Sequence, residues 1–65
     1  MTAPLDGLPR GIGRPATAAL AEAGYTRLDQ LAGVPRRDVA ELHGVGPTAL
    51  RVLGAALAAH GLSFG

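Results

Sequence analysis

The stretch that decides the fold of this 65-residue chain is Leu42-His43-Gly44-Val45-Gly46-Pro47-Thr48-Ala49-Leu50. Two glycines flank one apolar residue and a proline follows, which predicts the end of one helix, a tight turn and the start of the next helix. Pro47 falls in the first turn of that second helix, where proline is best tolerated. Backbone N–H groups at a helix start can bind a phosphate. We therefore expect a phosphate to approach the backbone most closely at Gly46.

A shorter version of the pattern lies near the N-terminus, where Gly11-Ile12-Gly13 is followed by Pro15 and an alanine-containing segment. We interpret the two triplets as a pseudo-repeat, although two such short matches also arise by chance in an alanine-rich chain. Arg10 and Arg14 flank the first triplet. Their guanidinium groups can contact a backbone phosphate or remain ordinary solvated charges.

Hydrophobic periodicity and glycine positions predict an all-α domain over residues 8–65, after a flexible leader at residues 1–7. Helices are expected over residues 15–23, 27–32, 36–43 and 47–60, and a further helical turn before residue 15 would give a compact four- to five-helix domain. Thr26 and Asp29 have the spacing of a capping box for the second helix. The expected core consists of Leu20, Tyr25, Leu28, Leu31, Leu42, Val45, Leu50, Leu53 and Leu57.

The composition limits the classes of function that the chain can have. Six arginines and five acidic residues give a net charge of +1, which supports nucleic-acid binding only weakly, and a GC-rich genome also explains why lysine is missing. The lack of cysteine excludes disulfides and thiolate metal sites and fits a cytoplasmic location. No apolar run reaches the length of a membrane span, and the N-terminus has no signal-peptide pattern.

The sequence gives little support to an enzyme. Gly11 and Gly13 lack the third glycine and the preceding strand of a dinucleotide-binding motif. His43 and His60 are isolated, so we expect no metal site. A chain of this size has little room for a substrate cleft. We therefore expect no catalytic activity, no cofactor and no small-molecule substrate.

The quoted stretch, together with the final His60-Gly61-Leu62-Ser63-Phe64-Gly65, resembles the C-terminal domain of the bacterial RNA polymerase alpha subunit. It is even more similar to small stand-alone bacterial helix-hairpin-helix proteins of that fold. The resemblance covers residues 8–65, with support from Leu28-Asp29-Gln30-Leu31 and Glu41-Leu42. It implies a DNA-binding domain in which the start of the first helix and the hairpin before the last helix meet the DNA backbone and minor groove.

Carried over position by position, the resemblance keeps one DNA contact, the hairpin glycine at Gly46. The family's principal contacting arginine falls at Pro15, beside Arg14. The family's contacting asparagine, lysine and serine fall at Ala18, Thr48 and Ala49. The chain also lacks the large amino-terminal domain that assembles the polymerase, so the resemblance does not make it an alpha subunit.

Two functions remain open. The first is a non-catalytic protein that contacts DNA backbone phosphates largely independently of sequence, through Arg10, Gly11, Gly13, Arg14, Gly44, Val45, Gly46, Thr48 and Arg51. The second is a protein–protein interaction module on the same fold, in which the hairpin is purely structural. The two glycine turns and the arginines favour DNA binding, whereas the low net charge and the missing contacts favour the interaction module.

Overall fold

The computed structural model describes residues 7–65, which form three α-helices and two short 3-10 turns and contain no strand. In chain order these are the N-terminal 3-10 turn Arg10–Ile12, α1 Gly13–Glu22, the central 3-10 turn Leu28–Leu31, α2 Arg36–Ala40 and α3 Pro47–Ala59. The all-α prediction is confirmed. The predicted count of four to five helices is wrong, because two of the helical segments are single 3-10 turns.

The predicted leader falls almost entirely at residues 1–6, which lie outside the described residues. Gly7, its last residue, accepts a hydrogen bond from the N–H of Leu28 at 3.0 Å, so its backbone is tied to the central 3-10 turn. Within residues 7–65, no helix is both long and apolar enough to cross a membrane.

The central 3-10 turn replaces the helix predicted over residues 27–32. Its capping group is the side chain of Gln30, whose Oε1 accepts hydrogen bonds from the N–H groups of Thr26 and Arg27, each at 2.8 Å. The predicted capping box of Thr26 and Asp29 is therefore wrong. Asp29 instead accepts a hydrogen bond from the Arg27 guanidinium at 2.8 Å. Extended backbone at Ala32 stops the segment after one turn.

The segment before the hairpin is also shorter than predicted, because α2 ends at Ala40. Two tight turns follow in place of another helical turn. The N–H of Leu42 donates to the Val39 carbonyl at 3.2 Å, and the N–H of Val45 donates to the Leu42 carbonyl at 3.1 Å. By contrast, α1 and α3 end one residue before the predicted positions.

Helix α3 lies at the centre of the fold and packs against both 3-10 turns and α2. The largest fully buried side chains are Leu20, Leu28, Leu31, Val39, Leu53 and Leu57. Tyr25 and Leu42 were predicted as core residues but are only half-buried. The rest of the core consists of Ile12, Ala16, Val45, Ala49 and Leu50. Buried Ala16 and Ala49 indicate that backbones approach each other closely at these positions. Hydrophobic periodicity does not single out such alanines, because alanine is common on both the buried and the exposed side of a helix.

The last residues close the domain against the loop between the central 3-10 turn and α2. The N–H of Gly33 donates to the Ser63 carbonyl at 2.9 Å, and the N–H of Gly65 donates to the Val34 carbonyl at 2.8 Å. Leu62 and Phe64 pack against the core. These contacts hold the segment that follows α3 against that loop.

Candidate nucleic-acid interface

The turn before α3 is anchored by its middle residue. Val45 is 8% exposed and belongs to the core, as predicted, while Gly44 before it has a φ of +99°. Gly46 has extended backbone, and its carbonyl accepts the N–H of Leu50 at 3.0 Å. The turn is therefore fixed by a buried side chain, and the backbone on either side of that side chain lies near the surface.

The first hydrogen bond of α3 leaves the preceding N–H groups without an intrahelical partner. The N–H groups of Thr48 and Ala49 come before that bond, Pro47 has no N–H, and Gly46 provides no capping side chain. Ala49 is only 4% exposed, whereas Thr48 is exposed. An anion can therefore reach this helix start mainly at Gly46 and Thr48.

The N-terminal glycine triplet resembles the hairpin in burial but differs from it in backbone conformation. Ile12, like Val45, is 8% exposed. In this triplet, however, the second glycine, Gly13, has the positive φ of +83°. Gly11 lies against α3, since a Cβ placed on it would be 3.3 Å from Cγ1 of Val52. Each triplet therefore buries its central residue, but the two turns are not copies of one backbone geometry.

The two glycine turns meet in the folded chain. A Cβ atom on Gly44 would lie 2.7 Å from the carbonyl oxygen and 3.1 Å from the carbonyl carbon of Pro15. Pro15 is the third residue of α1, and Gly44 precedes α3 by three residues. This contact places the first turn of α1 against the hairpin that precedes α3.

The three predicted arginines are exposed around these helix starts. Within residues 7–65, Arg10, Arg14 and Arg51 form no ion pair, whereas Arg27 is paired with Asp29 at 2.8 Å. Arg10 and Arg14 line the same open hollow, together with Gly13. Arg51 precedes Val52, which contacts the N-terminal turn, but Arg51 does not line that hollow. The fold therefore brings together Arg10 and Arg14 and sets Arg51 on the neighbouring helix.

Thr17 was not among the predicted site residues, although it lines the hollow beside both arginines. Its Oγ1 donates a hydrogen bond to the Gly13 carbonyl at 2.8 Å. The sequence feature that could have identified Thr17 as a site residue is a threonine in the second turn of a helix that follows a glycine triplet. In the part of the chain that the structure describes, no group of three or more His, Asp or Glu residues has an arrangement suited to a metal ion.

Comparisons of the chain with protein-family models, curated proteins and solved structures gave no match. The assignment of the nine residues to an interface therefore rests on the sequence and the geometry of this chain.

Proposed function

We propose that this chain is a small non-catalytic DNA-binding protein of the bacterial cytoplasm. It contacts backbone phosphates, largely independently of sequence, through its two glycine turns and the starts of α1 and α3. In this proposal α2, the hairpin and α3 form a helix-hairpin-helix unit, and the domain is similar to the C-terminal domain of the RNA polymerase alpha subunit.

The contact between Gly44 and Pro15 carries this proposal. It brings the first turn of α1 against the hairpin that leads into α3, and each of the two helices begins without a capping side chain. The positive end of each helix dipole favours an anion. A nucleic-acid strand offers several phosphates at short intervals, so one strand can reach both helix starts.

The arginines add full positive charges to the partial positive charges at the helix starts. Arg10 and Arg14 border the start of α1, and Arg51 lies one turn into α3. Arginine binds a phosphate through two parallel N–H groups. Such a contact positions the protein on the nucleic-acid backbone but carries no information about the base sequence. Ala18, Thr48 and Ala49 occupy positions where the resembling family has base- or backbone-contacting residues, so we expect weaker binding than in that family.

A salt titration tests the proposal. The protein is titrated with labelled duplex and single-stranded DNA of several sequences, at ionic strengths rising from a few millimolar. Three neutralised phosphates predict a log–log slope of about −2.7 on duplex DNA and about −2.1 on single strands, with micromolar or weaker affinity at physiological salt. We expect similar affinity for all sequences. Absence of binding at the lowest ionic strength would overturn the proposal.

The interaction module is the second candidate, and one observation favours it. Gly44 is already explained by its contact with Pro15, without any ligand. In this alternative the hairpin serves only to join α2 to α3, and the alanine-rich outer face of α3 is a candidate docking face. A protein that does not bind DNA at low salt but keeps its fold would make this candidate the better one.

A further inference from the structure

An open groove runs along the outer side of α1. Two hollows form it, and they share Arg10, Thr17 and Ala21. One hollow extends to Leu8 and Pro9 in the segment before the helix, and the other extends along the helix through Ala18 and Arg14. We call this surface, defined by Leu8, Pro9, Ala18, Ala21, Arg10 and Arg14, the α1 groove.

The α1 groove combines an apolar floor with unpaired positive charge. Leu8, Pro9, Ala18 and Ala21 provide aliphatic surface. The hydroxyl of Thr17 is bound to the Gly13 carbonyl at 2.8 Å. The charged groups of the groove are therefore two guanidiniums, and no acidic residue in the described part of the chain lines either hollow. The complement of such a surface is an apolar group with a carboxylate beside it.

We propose that the α1 groove binds a segment of another protein that carries a large apolar side chain next to acidic residues. The apolar side chain lies on the alanines, and the carboxylates pair with Arg10 and Arg14. A DNA backbone offers phosphates to the arginines but no large apolar side chain to cover the floor. The groove is open to solvent along its length, which suits an extended or helical peptide better than an enclosed small molecule.

The segment and DNA compete if both proposals hold, because both use Arg10 and Arg14. This competition rests on the proposed DNA binding. The binding of the protein segment does not rest on the proposed DNA binding, since it depends on the floor of the groove as well as on the arginines.

The test uses the full chain and a labelled acidic peptide, Glu-Glu-Leu-Leu-Glu-Glu-Leu-Glu, with binding followed by fluorescence anisotropy. A matched peptide with serine in place of each leucine keeps the charge and removes the apolar contact. We expect the serine peptide to bind about tenfold more weakly, since it cannot bury a leucine side chain. Equal binding of the two peptides would overturn the proposal, because charge alone would then explain it.

Two matched variants locate the site. Ala21→Gln fills the floor of the groove, whereas Ala40→Gln makes the same change at an exposed position of α2 outside it. We expect Ala21→Gln to weaken the leucine peptide about tenfold and Ala40→Gln to leave it unchanged. Equal effects of the two variants would overturn the proposal. Thermal unfolding confirms that both variants fold, and Arg14→Gln, a surface change, provides a second variant expected to weaken the peptide.

The experiments distinguish a failure of the groove proposal from a failure of the DNA-binding proposal. Ala21 is not among the residues proposed to contact phosphates, so Ala21→Gln is expected to keep the affinity of the wild-type chain for duplex DNA. Loss of peptide binding with DNA binding retained supports the groove. A wild-type chain that binds the leucine peptide but no DNA would overturn the DNA proposal and leave the groove proposal standing.

Discussion

The carbonyl oxygen of Pro15 lies 2.7 Å from the position that a Cβ atom would occupy on Gly44. Only glycine permits that approach, and Gly44 also has a φ of +99°, which L-residues with side chains rarely adopt. Gly46, two residues later, has a φ of −104°, and a Cβ atom on it would have no neighbour within 4 Å. The two glycines of the hairpin therefore have different roles, one in packing and one at an open surface.

Gly44→Ala is expected to destabilise the protein strongly. The new methyl group meets the Pro15 carbonyl and forces a strained backbone, which together cost about 2 kcal/mol or more in the free energy of unfolding. Chemical denaturation measures this loss. Gly46→Ala is the matched control, and we expect its stability to lie within about 0.5 kcal/mol of wild type. Equal stability of the two variants would contradict the packing described for Gly44.

Gly46→Ala separates folding from DNA binding. Its fold is expected to persist, while the added methyl group keeps a phosphate from the backbone at the start of α3. Loss of one charge-assisted hydrogen bond predicts about tenfold weaker binding to duplex DNA. Titration at low salt checks this, with circular dichroism as the control for folding. Unchanged affinity would remove Gly46 from the phosphate site.

Gln30→Ala is expected to lower the free energy of unfolding by about 1 kcal/mol, because two backbone N–H groups lose their acceptor. Asp29→Ala removes the ion pair with Arg27, in which the side chains of Arg27 and Asp29 are 53% and 38% exposed. The other carboxylate oxygen of Asp29, Oδ1, is buried and has no hydrogen-bond partner among residues 7–65. Exposed pairs contribute little, so we expect a change below about 0.5 kcal/mol. A larger loss in Asp29→Ala than in Gln30→Ala would restore the capping role predicted for Asp29.

Leu53→Ala tests the core. Leu53 is fully buried, and truncation of such a leucine removes about 2–5 kcal/mol of stability, a large share for a domain of this size. Leu42→Ala makes the same truncation at a half-buried position, so we expect less than about half that loss. Denaturant midpoints compare the two variants. A similar loss in both would mean that Leu42 is buried as deeply as Leu53.

Arg51→Gln and Arg36→Gln change the net charge equally but lie at different places. Arg51 is on α3 near the hairpin, whereas Arg36 begins α2 and is outside the predicted interface. We expect Arg51→Gln to make the salt slope on duplex DNA shallower by about 0.9 and Arg36→Gln to leave it unchanged. Equal changes in slope would indicate attraction by net charge and not by a defined interface.

Local signals in the sequence were sufficient for the secondary-structure class and for much of the core. Leu50, Leu53 and Leu57 recur at helical spacing, and all three are buried in α3. The Gly-Val-Gly triplet likewise indicated a turn with a buried valine. Each of these signals acts within one or two turns of chain, where spacing and backbone preference decide the outcome.

The sequence could not distinguish a full helix from a 3-10 turn at residues 28–31, because the segment ends where Ala32 becomes extended and Gly33 donates its N–H to the Ser63 carbonyl, 30 residues later in the chain. The sequence also could not show that Gly44 is the hairpin glycine held by close packing within the protein, while the approach of a phosphate at Gly46 stays a prediction. The packing at Gly44 depends on Pro15, which is 29 residues earlier in the chain and reaches the hairpin only when α1 packs beside it.

By itself, then, the sequence determined that the chain is helical, where its main turns lie, which leucines other than Leu42 are buried, and that its basic residues are arginines. Only the tertiary structure decided that the first turn of α1 packs against the hairpin before α3, that Arg10 and Arg14 border an apolar groove, and which hairpin glycine is open to a ligand. The physical reason is that turns and helical stripes follow from short-range sterics and hydrophobic spacing, whereas contacts between distant segments are fixed only when the whole core is packed.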